Sequence, residues 1–218
     1  MKYFDCALNL PEEEQINLPN CGIKIDKHNL SIGYYGIYYG TYKRNNWDIS
    51  EADRDHTDMV LDVKKFDLDA IKKFTGIIIP EIEKIRQSKS ADEKKVCLLR
   101  APSSEKDGVN GVERLIESIC KERAYINGSQ ILQRKYSVDP RHLKGGKRYP
   151  DEQFKSIDVN IDKLNSVSEC NWLIVLDDVA VSGQTIAVCC YYLNKLGINS
   201  KKIIAWSLGR NYSDPQYS

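Results

Sequence analysis

Apolar residues recur at helical spacing in three parts of the chain. From Asp67 onward they lie three or four positions apart, which predicts an amphipathic helix that Gly76 and Pro80 kink or divide. A second helix is predicted over about 112–121 and a third over about 185–196, since each places its apolar residues on one face.

Short apolar runs of strand length alternate with these helices. VCLLRAP, NWLIVLDD and KKIIAWSL each have the length and composition of a buried strand. Strand, loop, helix and strand then follow one another near the end of the chain, which predicts a right-handed βαβ unit and a parallel sheet covered by helices. Ligands bind at the carboxyl ends of strands in such sheets, and the loops after Pro102 and Leu176 leave such ends.

The N-terminal part of the chain has a different pattern. Residues 1–66 are predicted to form a β-rich hood or lid region, and residues 67–218 an α/β core. In the run SIGYYGIYYGTYKR, aromatic and β-branched residues are broken by glycine, which favours a β-hairpin or meander. Two interpretations stay open for it, a lid over a site or simple sheet packing.

Composition narrows the class of protein. With 41% hydrophobic and 29% charged residues, the 218-residue chain is typical of a globular protein. Lys and Arg total 32 against 31 for Asp and Glu, so no overall charge attracts nucleic acid. Neither a signal peptide nor an apolar run near the ~18 residues of a membrane span is visible, which predicts a cytoplasmic protein without membrane contact. The seven cysteines include no CxxC pair, so we expect reduced thiols rather than zinc ligands.

The segment LDDVAVSGQT carries the strongest chemical signal. A predicted strand delivers Asp177 and Asp178 to its carboxyl end, and a short loop with hydroxyl residues and Gly183 opens a helix. A helix N-terminus offers unpaired N–H groups to a phosphate, whereas two carboxylates suit sugar hydroxyls or a magnesium ion. Together they describe a ribose 5-phosphate site. The alternative is an Asp that caps the helix, with Ser and Thr in local turns.

This arrangement resembles the phosphoribosyl pyrophosphate signature of type I phosphoribosyltransferases. The resemblance implies a parallel-sheet fold of that type in which Asp177 and Asp178 contact the ribose hydroxyls and a Mg²⁺ that is bound with the ligand. It also implies that the following loop holds the 5-phosphate, although Val181 stands where the family often has a hydroxyl or small residue. The implied phosphate-loop residues are Val181, Ser182, Gly183, Gln184 and Thr185.

Upstream residues are most similar to the ComF-like branch of that family. In this branch the first strand ends in a proline, as at Pro102, and a loop with a basic residue, glycine and asparagine then binds pyrophosphate. Asp107 departs from the usual arginine, and the CxxC pairs of the branch's amino-terminal zinc ribbon are absent. The residues implied in the pyrophosphate loop are Ser103, Ser104, Lys106 and Gly108.

A long basic stretch without periodicity, QRKYSVDPRHLKGGKRYPDEQ, precedes the last βαβ unit. In the family such a loop closes over the pyrophosphate and supplies cations to the leaving group. Arg148 and Lys147 are the implied catalytic cations, with Lys144 and Arg134 as further candidates. A solvated surface loop is the alternative.

The resemblance implies an enzyme that transfers a phosphoribosyl group to or from a nitrogenous base with Mg²⁺. Its partners would be the phosphoribosyl ligand and an unidentified acceptor, and a homodimer or a protein partner is left open. The rival interpretation is a sensor or assembly subunit, in DNA uptake or defence, that binds such a ligand without turnover.

Overall fold

The structure, a computed structural model, describes residues 1–7, 29–40, 43, 45, 47–87, 95–104, 106, 110–138, 150–199 and 202–212. The helices and strands follow in chain order: β1 (Lys2–Ala7), β2 (Asn29–Tyr38), α1 (Glu51–Lys64), α2 (Leu68–Gln87), β3 (Val96–Arg100), α3 (Gly111–Glu122), β4 (Ile126–Asn127), β5 (Leu132–Arg134), α4 (Pro150–Ser156), β6 (Ile157–Val159), α5 (Ile161–Asn165), β7 (Trp172–Ala180), α6 (Gln184–Lys195) and β8 (Ile203–Asn211).

A six-stranded sheet in the order β1-β2-β8-β7-β3-β4 forms the centre of the fold. All neighbouring strands in it are parallel except β1 and β2, which are antiparallel. Strands β5 and β6 make a separate antiparallel pair. The predicted α/β class with a largely parallel sheet is therefore confirmed.

Apolar side chains cover both faces of this sheet. On one face, which we call the α1 face, Phe74 and Ile116 from the helices pack with Ile174 of β7. On the other, the α6 face, Ile186 packs with Val175. Because side chains alternate along a strand, each buried strand supplies both layers.

The predicted core elements are confirmed with small changes in their bounds. Helix α2 runs over Leu68–Gln87 without division at Gly76 or Pro80. It begins where the Asp67 carboxylate accepts a hydrogen bond from Ala70 N at 2.8 Å. Strands β7 and β8 are parallel neighbours joined through α6, as the βαβ prediction requires. Among the described helices, including the 20-residue α2, none combines the length and apolar character of a membrane span.

The described part of the N-terminal region adds two strands and a helix to the same sheet, and the predicted hood or lid role of residues 1–66 stays a prediction. The run SIGYYGIY lies in the single strand β2, which pairs with β1 on one side and with β8 of the core on the other. Helix α1 was not predicted. It starts at Ser50, whose Oγ accepts a hydrogen bond from Asp53 N at 3.2 Å, and it buries Val60 and Val63 against the α1 face.

The strand order creates a topological switch point between β3 and β7. After β3 the chain passes through α3 to β4 on one side, and it later returns to β7 on the other side of β3. The loops that leave these two strands therefore diverge and open a crevice at the carboxyl edge of the sheet. Open α/β sheets bind ligands at such a crevice.

Candidate functional site

The loop between β7 and α6 is short and tightly held. It comprises only residues 181–183, since β7 continues to Ala180. Gly183 precedes α6 with φ 77°, in the left-handed region that favours glycine. A Cβ on Gly183 would lie 2.6 Å from Ile32 Cδ1, so packing as well as backbone conformation requires glycine here. Glycine cannot cap the helix with a side chain, which leaves first-turn N–H groups of α6 to other acceptors.

Strand β1 braces this loop through Cys6. Its Sγ donates to Ser182 O at 3.0 Å, and Gln184 Nε2 donates to the same sulfur at 3.6 Å. Burial raises the pKa of Cys6 to about 11, which keeps the thiol protonated as a donor. The exposed Ser182 and Val181 form the outer surface of the loop, whereas Gly183 is buried.

The two adjacent carboxylates lie in β7, as expected, but the strand continues two residues past them to Ala180. Asp178 Oδ2 lies 3.2 Å from Lys64 Nζ, on the α1 face. Burial raises the pKa of Cys189 on the α6 face, and the negative charge of Asp177 adds to that rise and also raises the pKa of Lys64 on the α1 face. Asp178 thus contacts Lys64 directly, and the charge of Asp177 acts on the same ammonium group.

The strand ladders each lack one pair beside Asp178, with the register unchanged on both sides of the gap. The ladders of β8 with β2 and with β7 both skip Leu208, and Asp178 and Val179 are consecutive residues that both contact the α1 face. On the same side, a Cβ on Gly36 would lie 2.6 Å from the His56 ring of α1.

Arg134 connects the loops on the two sides of the crevice. This buried side chain donates from Nε to Ser103 O at 2.9 Å and from Nη2 to Gln153 Oε1 at 2.8 Å, and Nη1 donates to Ser156 Oγ. Thr185 Oγ1 donates to the same Gln153 oxygen at 3.3 Å. Arg134 is thus an internal link between the loop after β3 and the start of α6.

The loop after β3 holds the beginning of the basic segment. Ser104 O accepts from Val138 N at 2.7 Å, and Lys106 N donates to Ser137 Oγ at 2.9 Å. Ser104 and the Lys106 side chain are exposed beside the crevice. The other predicted cations and loop residues, Gly108, Lys144, Lys147 and Arg148, together with Asp107, lie outside the described residues and stay predictions.

Helices α1 and α3 meet at the same edge of the sheet. Asn110 caps α3 by accepting from Glu113 N at 3.1 Å. At the next residue, a Cβ on Gly111 would lie 1.8 Å from Val63 O, so only glycine permits this close approach. The end of α1 therefore sits on the rim of the crevice.

Lys64 is the site residue that the sequence did not reveal. Burial lowers its pKa, but the charge of Asp178 and a hydrogen bond to it outweigh this effect, and the net pKa lies above the ordinary value. Its Nζ also lies 5.6 Å from the centroid of the Tyr38 ring. Helix α1 was not predicted, so nothing in the sequence pattern pointed to Lys64.

No group of three potential metal ligands from His, Cys, Asp and Glu is gathered within the part of the chain that the structure describes. The site thus combines a helix N-terminus without a side-chain cap, one partly exposed carboxylate, Asp177, and one carboxylate, Asp178, paired with an ammonium group.

The fold and the site define a mixed α/β protein with a crevice at a topological switch point. Comparisons of the sequence with known protein families and curated proteins do not assign the chain to a narrower class. No protein-family model matches the chain, and no curated protein sequence matches it significantly.

Proposed function

We propose that the chain binds a 5-phosphoribosyl ligand in the crevice between β3 and β7, on a fold of the type I phosphoribosyltransferase kind. The observation that carries the proposal is the N-terminus of α6, which follows a left-handed glycine directly after an acidic strand end. Backbone donors and the helix dipole favour a phosphate there. Ser182 is exposed on the same loop and can donate a hydroxyl hydrogen bond.

Asp177 is the carboxylate proposed for the sugar. It lies in β7, ahead of the phosphate loop, and is partly exposed. An ionised carboxylate repels a phosphate but accepts hydrogen bonds from hydroxyl groups. A ligand with its phosphate on α6 and its hydroxyls toward β7 matches both ends of the site.

The proposed reaction breaks the bond between ribose C1 and the pyrophosphate oxygen and forms a bond from C1 to a base nitrogen. The sugar gains positive charge before the new bond is complete, and Asp177 stabilises that charge. Lys106 and the predicted cations Lys147 and Arg148 would offset the negative charge that develops on the leaving pyrophosphate. Mg²⁺, where bound, would neutralise the pyrophosphate together with these side chains.

Titration calorimetry with phosphoribosyl pyrophosphate and Mg²⁺ tests the binding site. Asp177→Asn is expected to weaken binding at least about tenfold, because a charge-assisted hydrogen bond contributes about 1.5–3 kcal/mol. Asp158→Asn is the matched control, since this exposed β6 carboxylate lies 3.7 Å from Lys135 and outside the crevice. Equal affinities for wild type and Asp177→Asn contradict the proposed site.

The rival function is ligand binding without turnover, and Val181 favours it. This residue occupies the place of a family hydroxyl, and its side chain is 47% exposed on the phosphate loop. Pyrophosphate release over a panel of bases separates the two functions. In an enzyme, Arg148→Ala lowers turnover more than affinity, because the cation acts on charge that develops in the transition state. Uniform affinity losses at Lys144, Lys147 and Arg148 without any release establish the rival.

A further inference from the structure

Lys64 is a positive charge at the crevice that the proposed function leaves unused. It is the last residue of α1, and its Nζ lies 3.2 Å from Asp178 Oδ2. The same Nζ lies 5.6 Å from the centroid of the Tyr38 ring. A carboxylate and an aromatic face therefore hold the ammonium together at the carboxyl edge of the sheet.

The backbone that carries Lys64 is fixed by packing. Val60 and Val63 of the same helix are 0% exposed, and Val63 O meets Gly111 at the start of α3. The Lys64 side chain is 37% exposed and that of Asp178 is 25% exposed, whereas the neighbouring Lys65 is 70% exposed. Partial burial strengthens an ion pair over one in open solvent.

This pair changes what Asp178 can bind. A divalent cation on Asp178 would lie close to an ammonium group that already contacts the carboxylate, and like charges at such distances repel strongly. The charge of Asp177 also raises the pKa of Lys64, so the same ammonium group partly offsets both carboxylates. The described residues therefore fit a hydroxyl donor at Asp178 better than a metal ion.

We infer that Lys64 is the resident cation of the ligand site, a positioning residue that keeps the Asp178 carboxylate aimed as an acceptor for a sugar hydroxyl. The phosphoribosyl end of the ligand then binds without a divalent metal, and any need for Mg²⁺ arises from the pyrophosphate end. The inference rests on the proposed function, since it assigns a role at the same site.

Ribose 5-phosphate is the probe that isolates this effect, because it lacks the pyrophosphate. Its affinity is measured by titration calorimetry in EDTA and in millimolar Mg²⁺. Wild type is expected to bind equally in both. Lys64→Met is expected to bind about tenfold more weakly in EDTA and to regain part of the affinity in Mg²⁺, since the vacated position accepts a cation. A purely structural role of Lys64 would not create this dependence on Mg²⁺.

Lys65→Met is the matched control, because it removes the same charge from the next residue, which pairs with Asp62 and not with Asp178. It is expected to behave as wild type, and Lys64→Arg is expected to retain metal-independent binding. If Lys64→Met does not fold, Lys64→Gln replaces it in the same titration.

Three outcomes overturn the inference. Wild type that binds ribose 5-phosphate only with Mg²⁺ excludes a resident cation, and so does Lys64→Met or Lys64→Gln with wild-type affinity in EDTA. If Lys64→Met folds but Mg²⁺ does not restore any of the affinity that it loses, Lys64 has only a structural role. If wild type binds neither ribose 5-phosphate nor phosphoribosyl pyrophosphate, the proposed function itself is contradicted, and the inference about Lys64 is contradicted with it.

Discussion

Arg134 Nη2 donates a hydrogen bond to Gln153 Oε1 at 2.8 Å, and both side chains are buried. The contact joins β5 to α4, and Thr185 extends it to α6 through the same Gln153 oxygen. A buried cation is stable only where its donors are paired, and Arg134 meets this condition with Ser103 and Ser156 as further acceptors.

Arg134→Met is expected to destabilise the fold by on the order of 3 kcal/mol. The change keeps the volume but removes charge-assisted hydrogen bonds and leaves buried acceptors without their donor. The free energy of unfolding in urea measures the loss. Lys135→Met is the control, because this neighbour is 49% exposed and pairs with Asp158 only at 3.7 Å. Its effect is expected to stay within about 0.5 kcal/mol, and equal losses for both variants contradict a special role of Arg134.

His56 is expected to make the fold sensitive to acid. Burial lowers its pKa below the ordinary value, while the Leu208 carbonyl and Asp53 oppose that shift only in part. A depressed folded-state pKa means that the unfolded chain binds the proton first as the pH falls. Stability is therefore present above the ordinary histidine pKa, about 6.5, and is lost as the pH falls through the folded-state pKa.

His56→Gln provides the test of that pH dependence, since the amide can still donate to Leu208 O as His56 Nε2 does at 3.0 Å. Unfolding free energies are compared at pH 7.5 and 5.5. Wild type is expected to lose more stability over this interval than the variant. The other two histidines of the chain are present in both proteins and cancel in the comparison. Identical pH profiles contradict the prediction.

The core helices and strands could be predicted because the spacing of their apolar residues along the chain matches the face that each of them buries. Helix α3 places Val112, Leu115 and Ile119 on one buried face, and the apolar run of β7 is almost wholly buried. The predicted strand NWLIVLDD ends at Asp178, two residues too early, because the apolar run gives no sign of the pairing with β8 that continues to Ala180. The end of the strand is thus determined by pairing with a distant segment and not by local hydrophobicity.

Helix α1 and the hydrogen bonds of Arg134 could not be predicted from the sequence, for a different reason. Only Thr57, Val60 and Val63 of α1 are buried, so its helical period is weak and tertiary packing determines the structure. The contact of Arg134 with Gln153 joins residues 19 positions apart across segments without periodicity. Such pairs carry no local signal in a single sequence.

Lys64 and Asp178 are expected to show energetic coupling in stability measurements as well. A double-mutant cycle with Lys64→Met and Asp178→Asn should give about 0.5–1 kcal/mol at low salt, in the upper range for partly exposed pairs. The coupling should shrink in 1 M salt because exposed charges are screened. Urea unfolding of the four proteins at both salt concentrations measures it, and a coupling of zero at low salt removes the ion pair from the solution structure.

Gly183 allows backbone strain and steric clash to be measured separately. Gly183 and Gly197 both have positive φ, 77° and 94°, but a Cβ on Gly183 would lie 2.6 Å from Ile32 Cδ1, whereas nothing lies within 4 Å of one on Gly197. Gly197→Ala should therefore cost only the left-handed strain, about 1–2 kcal/mol. Gly183→Ala should cost more, with overpacking adding about 1–3 kcal/mol.

Ile32→Val removes the Cδ1 atom and is expected to restore part of the stability that Gly183→Ala loses. By itself Ile32→Val costs about 0.5–1.5 kcal/mol of stability. Coupling is therefore shown only if the double variant is more stable than the sum of the two single losses predicts. Urea unfolding of both single variants and the double variant measures the coupling, with the Gly197→Ala background as a control that should show none. Additive losses at Gly183 and Ile32 would mean that the loop does not pack on β2. In that case Gly183 is required either by the backbone conformation or by the close approach of a phosphate. Calorimetry on the folded Gly183→Ala variant distinguishes these two explanations, because only the second predicts a loss of ligand affinity.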